Sequence, residues 1–166
     1  GCPSGGAPGS PADSMRLLLA VHGFPPREQG GAERRAERTA VGLAQRGHRV
    51  AVMVSSPGPG DEVTLRDHAG VHVLRRNWPL LGPGDPFEWS YDRPDRLELA
   101  ARAQALGRPD VLHVFGGYGT TAAPVKTALE AKVPVVVSLT DYWWICERMT
   151  LVRSDGRRCD GPNALA

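Results

Sequence analysis

A doubly wound, mostly parallel α/β sheet with helices on both faces is the fold this chain predicts. Three observations point to it. Short apolar runs alternate with segments of helical period along the whole chain. The runs are continuous in Val and Leu, as in strands buried on both faces, and do not alternate polar with apolar. Each run ends in turn residues, and such βα alternation builds a right-handed, Rossmann-like sheet.

The elements follow in order. Arg16–His22, "RLLLAVH", is the first strand. Between Ala32 and Gly47, small or apolar residues recur at Ala32, Ala36, Ala40, Leu43 and Ala44. This is helical spacing, and Gly47 supplies a stop. Arg49–Ser56, "RVAVMVSS", is the second strand, and Pro57–Gly60 reads as a loop. Gly70–Arg76 is a third strand. Asn77–Pro94 mixes Pro, Gly and aromatic residues, and its length predicts an irregular excursion that helps shape a binding surface.

Asp95–Gly107 is helical and Asp110–Gly116 a strand. Thr121–Lys132 is a helix with a proline near its first turn. Val133–Asp141, "VPVVVSLTD", reads as another buried strand. In an open sheet of this kind ligands bind outside the carboxyl ends of the strands. Those ends carry His22–Gly31, Ser55–Gly60, Phe115–Thr120 and Thr140–Trp144.

The chain has 166 residues, 41% hydrophobic and 23% charged, which suits one packed domain. A formal net charge of +2 with scattered basic residues gives no field for nucleic acid. No apolar run approaches the roughly 20 residues of a membrane helix. Residues 1–14 are rich in Gly, Pro and Ser and have no signal-peptide core. They predict a disordered tail or a cloning remnant, with Met15 an original start. Cys2, Cys146 and Cys159 are too few and too odd in number for a disulfide framework, which points to a reducing, cytoplasmic setting.

Gly30 and Gly31 stand where the first loop becomes a helix. Glycine there lets an anion approach the unpaired N–H groups of a helix start. The alternative is a tight turn that needs positive φ. A P-loop is excluded, because no Gly-Lys-Ser/Thr triplet follows the strand. The dinucleotide fingerprint is missing too, which disfavours an oxidoreductase. His113 lies inside an apolar strand, where a core histidine and a cleft histidine read alike. Tyr142, Trp143 and Trp144 form either a packing cluster or a platform for stacking a sugar.

"RLLLAVHGFPPREQGGAERRAERTAVGLAQRGHRVAVMVSS", "PDVLHVFGGYG" and "VVVSLTDYWWICERMTLVRSDGRRCDGP" stand in that order. Together they resemble the N-terminal domain of family-four retaining glycosyltransferases of the GT-B fold. The resemblance covers nearly all of Met15–Pro162. It implies one half of a GT-B enzyme, with residues 15–166 as the acceptor-side domain, a separate donor-binding domain, and an inactive isolated fragment. It implies a nucleotide-sugar donor and an acceptor glycan, lipid or small molecule, with no cofactor, no metal and at most peripheral membrane contact.

Substrate contacts would come from Gly30, Gly31, Glu33, His113, Gly116 and Tyr142, with Thr140 and Asp141 as the catalytic pair. Relatives commonly carry His-Asp where this chain has Thr140-Asp141, and a second His where it has Phe115. A threonine hydroxyl hydrogen-bonds but is no base near neutral pH. Asp141 either orients an acceptor hydroxyl or caps a helix over "YWWIC". Cys146 and Cys159 would be half of a four-thiolate zinc site in this subgroup. Two thiolates do not complete one, so free cysteines are expected. The rival class is a non-catalytic flavodoxin-like or receiver-like binding module, although receivers need acidic strand ends and the first strand here ends in His22-Gly23.

Overall fold

A computed structural model describes residues 14–59, 63–78, 89, 91–146, 149–153 and 155–159. The element order is β1 (Arg16–Val21), α1 (Gly31–Gln45), β2 (Arg49–Pro57), β3 (Val63–His68), β4 (Val71–Trp78), α2 (Pro94–Gly107), β5 (Val111–Phe115), α3 (Ala123–Glu130) and β6 (Val135–Ser138). They form one six-stranded sheet in the order β3-β4-β2-β1-β5-β6. All neighbours are parallel except β3 with β4.

The doubly wound expectation holds, and the sheet's alternation explains its two cores. Leu19 and Val21 of β1 pack with Val50, Val52 and Val54 of β2 and with Ala36 and Ala40 of α1. Leu18 and Ala20, one residue out of step, pack on the other face with Leu99, Ala100 and Ala103 of α2 and with α3. Alanine on α1's buried stripe lets that helix lie close to the sheet. Gly47, at φ +90°, ends α1 as expected and returns its N–H to the Ala44 carbonyl at 2.9 Å.

Two expectations need correction. The stretch before Gly70 holds an unforeseen strand, β3, which pairs antiparallel with β4. Ala69 and Gly70, at φ +52° and +80°, make the two-residue hairpin loop, and positive φ at both positions fits the right-handed twist of the strands. The second correction concerns β6. It is not a buried strand, because it forms the sheet's edge beside β5, and Val136 and Val137 are 49% and 39% exposed. It is also shorter than expected, ending at Ser138.

The tail at residues 1–13 and most of the expected excursion, residues 79–88 and 90, lie outside the described residues. Asn77 and Trp78 belong to β4 and Pro94 opens α2, so the excursion is narrower than Asn77–Pro94. Among the described residues no helix is long and apolar enough to cross a membrane.

Candidate functional site

From β1 the chain moves toward β2 on one side, and later returns through α2 to place β5 on the other. The strand order reverses between β1 and β5. A crevice at the carboxyl ends of these two strands is where an open α/β sheet binds ligands. The loops that flank it follow β1 (His22–Gly30) and β5 (Gly116–Ala122).

The first loop is held by an arginine. Arg75, on β4, donates from Nη2 to the Phe24 carbonyl at 2.8 Å and from Nη1 to Glu28 Oε2 at 2.7 Å. The same Nη1 reaches Ser56 Oγ. Glu28 in turn accepts the Phe24 N–H at 3.0 Å. Burial opposes ionisation of Glu28, but the Phe24 N–H and the Arg75 guanidinium outweigh it and hold the carboxyl below its ordinary range. The loop is therefore pinned to the sheet by half-buried polar bonds.

At the end of that loop the glycine pair resolves into two different residues. Gly30, the N-cap of α1, is extended at φ −72°, ψ −174°, and Gly31 is the first helical residue. Neither needs positive φ, so the tight-turn alternative fails. A Cβ on Gly30 would lie 2.4 Å from Glu33 Oε2, whereas a Cβ on Gly31 would meet nothing within 4 Å. Gly30 is small because a side chain of this chain lies against it. Gly31 faces open space.

That side chain, Glu33, sits on the buried stripe of α1 with Ala36 and Ala40. Its carboxylate is 3.0 Å from His22 Nε2 at the tip of β1. A Cβ on Gly23 would lie 2.8 Å from Glu28 Cβ and 3.0 Å from Glu33 Cγ, so this glycine makes room for both side chains. The His22 ring meets Tyr118 edge-on, at 5.8 Å between centroids, across the crevice. Its other nitrogen, Nδ1, is buried without a hydrogen-bond partner among the described residues.

The second loop is built on clearances too. Gly116, at φ +72°, stands where a Cβ would be 2.8 Å from both Thr140 Oγ1 and Asp141 Oδ2. A Cβ on Gly117 would fall 1.7 Å from the buried Trp143 ring. Thr140 and Asp141 are thereby brought against the end of β5, together with Gly116. Asp141 Oδ1 accepts the Trp143 N–H at 2.9 Å. The Asp caps a turn, not a helix: the Ile145 and Cys146 N–H groups both close on the Tyr142 carbonyl, and no helix follows among the described residues. Oδ2 is left on the Gly116 side. Thr140 Oγ1 is buried and has no hydrogen-bond partner among the described residues.

The aromatic triplet divides. Trp143 packs, 5% exposed and 5.0 Å from Tyr91 between ring centroids. Tyr142 is half exposed and is the member able to stack a ligand. His113 does not reach the strand tip. It is half-buried, stacks on Phe115 at 4.2 Å and bonds Ser138 Oγ at 2.9 Å. Burial lowers its pKa below the ordinary histidine value. Phe115, where a histidine was expected from the resemblance, is fully buried in the α1-side core.

Sequence reasoning missed Arg75 and Arg96. Arg96 is completely buried at the start of α2, donates from Nε to the Gly119 carbonyl at 3.0 Å and lies 4.7 Å from the Trp78 ring. Its Nη1 pairs with Asp95 at 2.7 Å. Burial brings its pKa down to about 10, so it stays charged at neutral pH. One signal was present: Arg96, Leu99, Ala100 and Ala103 share one helical stripe, which places an arginine on an apolar face. Gly119, which Arg96 fixes, itself packs on His22 and Trp78, since its Cβ would meet them at 3.1 and 3.0 Å.

Cys146 and Cys159 are half-buried and form no disulfide. Among the described residues no group of three or more His, Cys, Asp or Glu side chains is placed to hold a metal ion.

Fold and loops together define a doubly wound α/β domain whose strand order reverses between β1 and β5. The model of the glycosyl transferase 4-like domain matches residues 30–164. The chain belongs to that family, which agrees with the resemblance of its motifs. No curated protein matches it.

Proposed function

We propose that this chain is the acceptor-side half of a retaining glycosyltransferase that moves a sugar from a nucleotide-sugar donor to an acceptor. The observation that carries this reading is the assembly at the tip of β5, in a domain of this family. Gly116 and Gly117 are cleared for Thr140, Asp141 and Trp143, at the place where open α/β sheets bind ligands. In the transfer the oxygen of an acceptor hydroxyl bonds to the anomeric carbon as the bond from that carbon to the nucleoside diphosphate breaks, and the hydroxyl proton passes to the departing diphosphate. Asp141 Oδ2 orients the acceptor hydroxyl, its partner oxygen being fixed by the Trp143 N–H. Thr140 adds a hydrogen bond and takes up no proton. Tyr142 offers its ring to the acceptor, and the open flank of Gly31 admits it to the start of α1.

Glu33 and His22 line the β1 side of the same crevice, while His113 acts one layer below as a support for Phe115 and Ser138. The work of such a half is positioning. Donor binding and the cytoplasmic setting belong to the same proposal, with a second domain supplying the nucleotide contacts. The test is transfer from labelled UDP- and GDP-sugars by the longest polypeptide that carries this domain, with the product's anomeric configuration read by NMR. Retention, and loss of transfer in Asp141→Ala with its fold intact, are the expected results. An inverted product, or an undiminished Asp141→Ala enzyme, would overturn the reading.

A further inference from the structure

The loop after β1 has little means of ordering itself. Pro25 and Pro26 have no N–H to give. Among the described residues, one backbone hydrogen bond closes the stretch, from the Glu28 N–H to the Phe24 carbonyl at 3.4 Å. The Phe24 ring is fully buried in the α1-side core and fixes one point. The peptide groups on either side of that ring are fixed by side chains. Glu28 Oε2 accepts the Phe24 N–H, and Arg75 Nη2 donates to the Phe24 carbonyl. One ion pair, Arg75 with Glu28 at 2.7 Å, therefore holds both backbone groups of one residue.

Arg75 comes from outside the loop. Val71, Val73 and Arg75 alternate along β4, and the two valines join the α1-side core. Arg75 stands where that core ends, its side chain 11% exposed. Its Nη1 also reaches Ser56, wholly buried near the end of β2, which ties the clamp to a central strand. The loop it holds frames the crevice at both ends: His22 at the start meets Tyr118, and Gly30 at the finish caps α1.

We infer that Arg75 is a positioning residue, which acts through Glu28 and Phe24 to hold the β1–α1 loop in the arrangement that receives the acceptor. The inference rests on the transferase reading for the acceptor and not for the clamp. Arginine suits the task because its planar fork offers separate nitrogens to a carbonyl and a carboxylate, where lysine has one. Without the fork the loop samples other arrangements, and acceptor affinity falls by the fraction of molecules still in the right one. An acceptor at saturation selects that arrangement, so turnover is kept. The signature is a raised acceptor KM at nearly constant kcat. A residue that merely stabilised the fold would do the reverse, since fewer folded molecules lower the apparent kcat and leave KM alone.

Amide order parameters of Arg27–Gly31 in the 166-residue chain read the clamp directly. In Arg75→Gln they should fall from about 0.85 to below about 0.6, while β1, β2 and α1 beyond its first turn stay rigid. Arg75→Lys, the milder variant, should change the same residues in the same direction. Transfer from labelled UDP- and GDP-sugars to octyl β-glucoside, by the longest polypeptide that carries this domain, reads the consequence. A loop ordered about one-tenth of the time gives an acceptor KM about tenfold higher in Arg75→Gln, with kcat within about twofold of wild type. A rigid loop in either folded variant would overturn the inference, as would a lowered kcat at unchanged KM. If octyl glucoside takes no sugar from the wild type, the order parameters decide alone. The transferase reading is judged separately, by the anomeric product and by Asp141→Ala.

Discussion

Replacing Gly117 with alanine adds one methyl group at the tightest point of the site. The new Cβ would lie 1.7 Å from Trp143 Cε3 and 2.3 Å from Cδ2 and Cζ3. These atoms belong to a fused ring that is 5% exposed and cannot yield by rotating one terminal bond. An unstrained Gly→Ala change gains about 0.4–1 kcal/mol through the unfolded chain. Overpacking of this kind costs about 1–3 kcal/mol, so the sum is a net loss of up to about 2.6 kcal/mol. Removing the ring should reverse the sign. Trp143→Ala alone costs about 3–5 kcal/mol, and adding Gly117→Ala to it should cost nothing or return up to about 1 kcal/mol. Urea unfolding of the four proteins at equal slope gives the coupling, expected at about 1–3 kcal/mol. Equal losses from Gly117→Ala in both backgrounds would refute the argument that this glycine exists to admit Trp143.

Gly31→Val should behave oppositely, since its Cβ meets no atom and its backbone is helical: stability within about 0.5 kcal/mol of wild type, but transfer activity lost because the open flank is filled. A folded Gly31→Val enzyme with normal turnover would show that the flank is not used. His113 should make the domain acid-sensitive. Its folded pKa lies below the ordinary 6.5, so the unfolded chain binds more protons, and stability falls as pH drops through 6.5 toward the folded value. Urea midpoints at pH 7.5 and 5 should differ less in His113→Gln than in wild type. Arg96→Leu removes a charged, buried hydrogen bond to Gly119 and should cost about 1.5–3 kcal/mol, read in the same unfolding experiment.

Much of the fold was legible because burial on both sides leaves a simple trace. β1, β2 and β5 are continuous apolar runs, and α1 shows its stripe at Ala36 and Ala40. The failures have physical causes. β3, "VTLRDH", is an edge strand with exposed Leu65 and few apolar residues, so composition hides it. Its turn signal was the single Gly70, since alanine at position 69 is an uncommon holder of positive φ. β6 misled in the other direction. "VVVS" has the composition of a central strand, and only the strand order reveals that it lies at an edge. In the site, the loops could be placed from sequence, but Arg75 and Arg96 act from elements distant in the chain. No spacing rule brings Arg75 to Phe24 or Arg96 to Gly119.

The described glycines around the crevice have reasons that can be compared. A Cβ on Gly23 would meet Glu28 and Glu33, on Gly30 Glu33, on Gly116 Thr140 and Asp141, on Gly117 Trp143, and on Gly119 His22 and Trp78, Gly116 and Gly119 being at positive φ as well. Gly47, Gly70 and Gly156 have open space around them but sit at positive φ, where other residues are strained. Among the described glycines, Gly31 alone combines a conformation any residue adopts with a Cβ position that touches nothing. Nothing among the described residues therefore requires glycine at position 31, and in a first helical turn glycine is a poor helix former. On the proposed transferase reading the requirement comes from a bound group that must lie closer to the start of α1 than a methyl would permit. The glycine pair that reads in sequence as one motif thus separates into Gly30, whose Cβ position lies against the chain's own Glu33, and Gly31, whose flank is open.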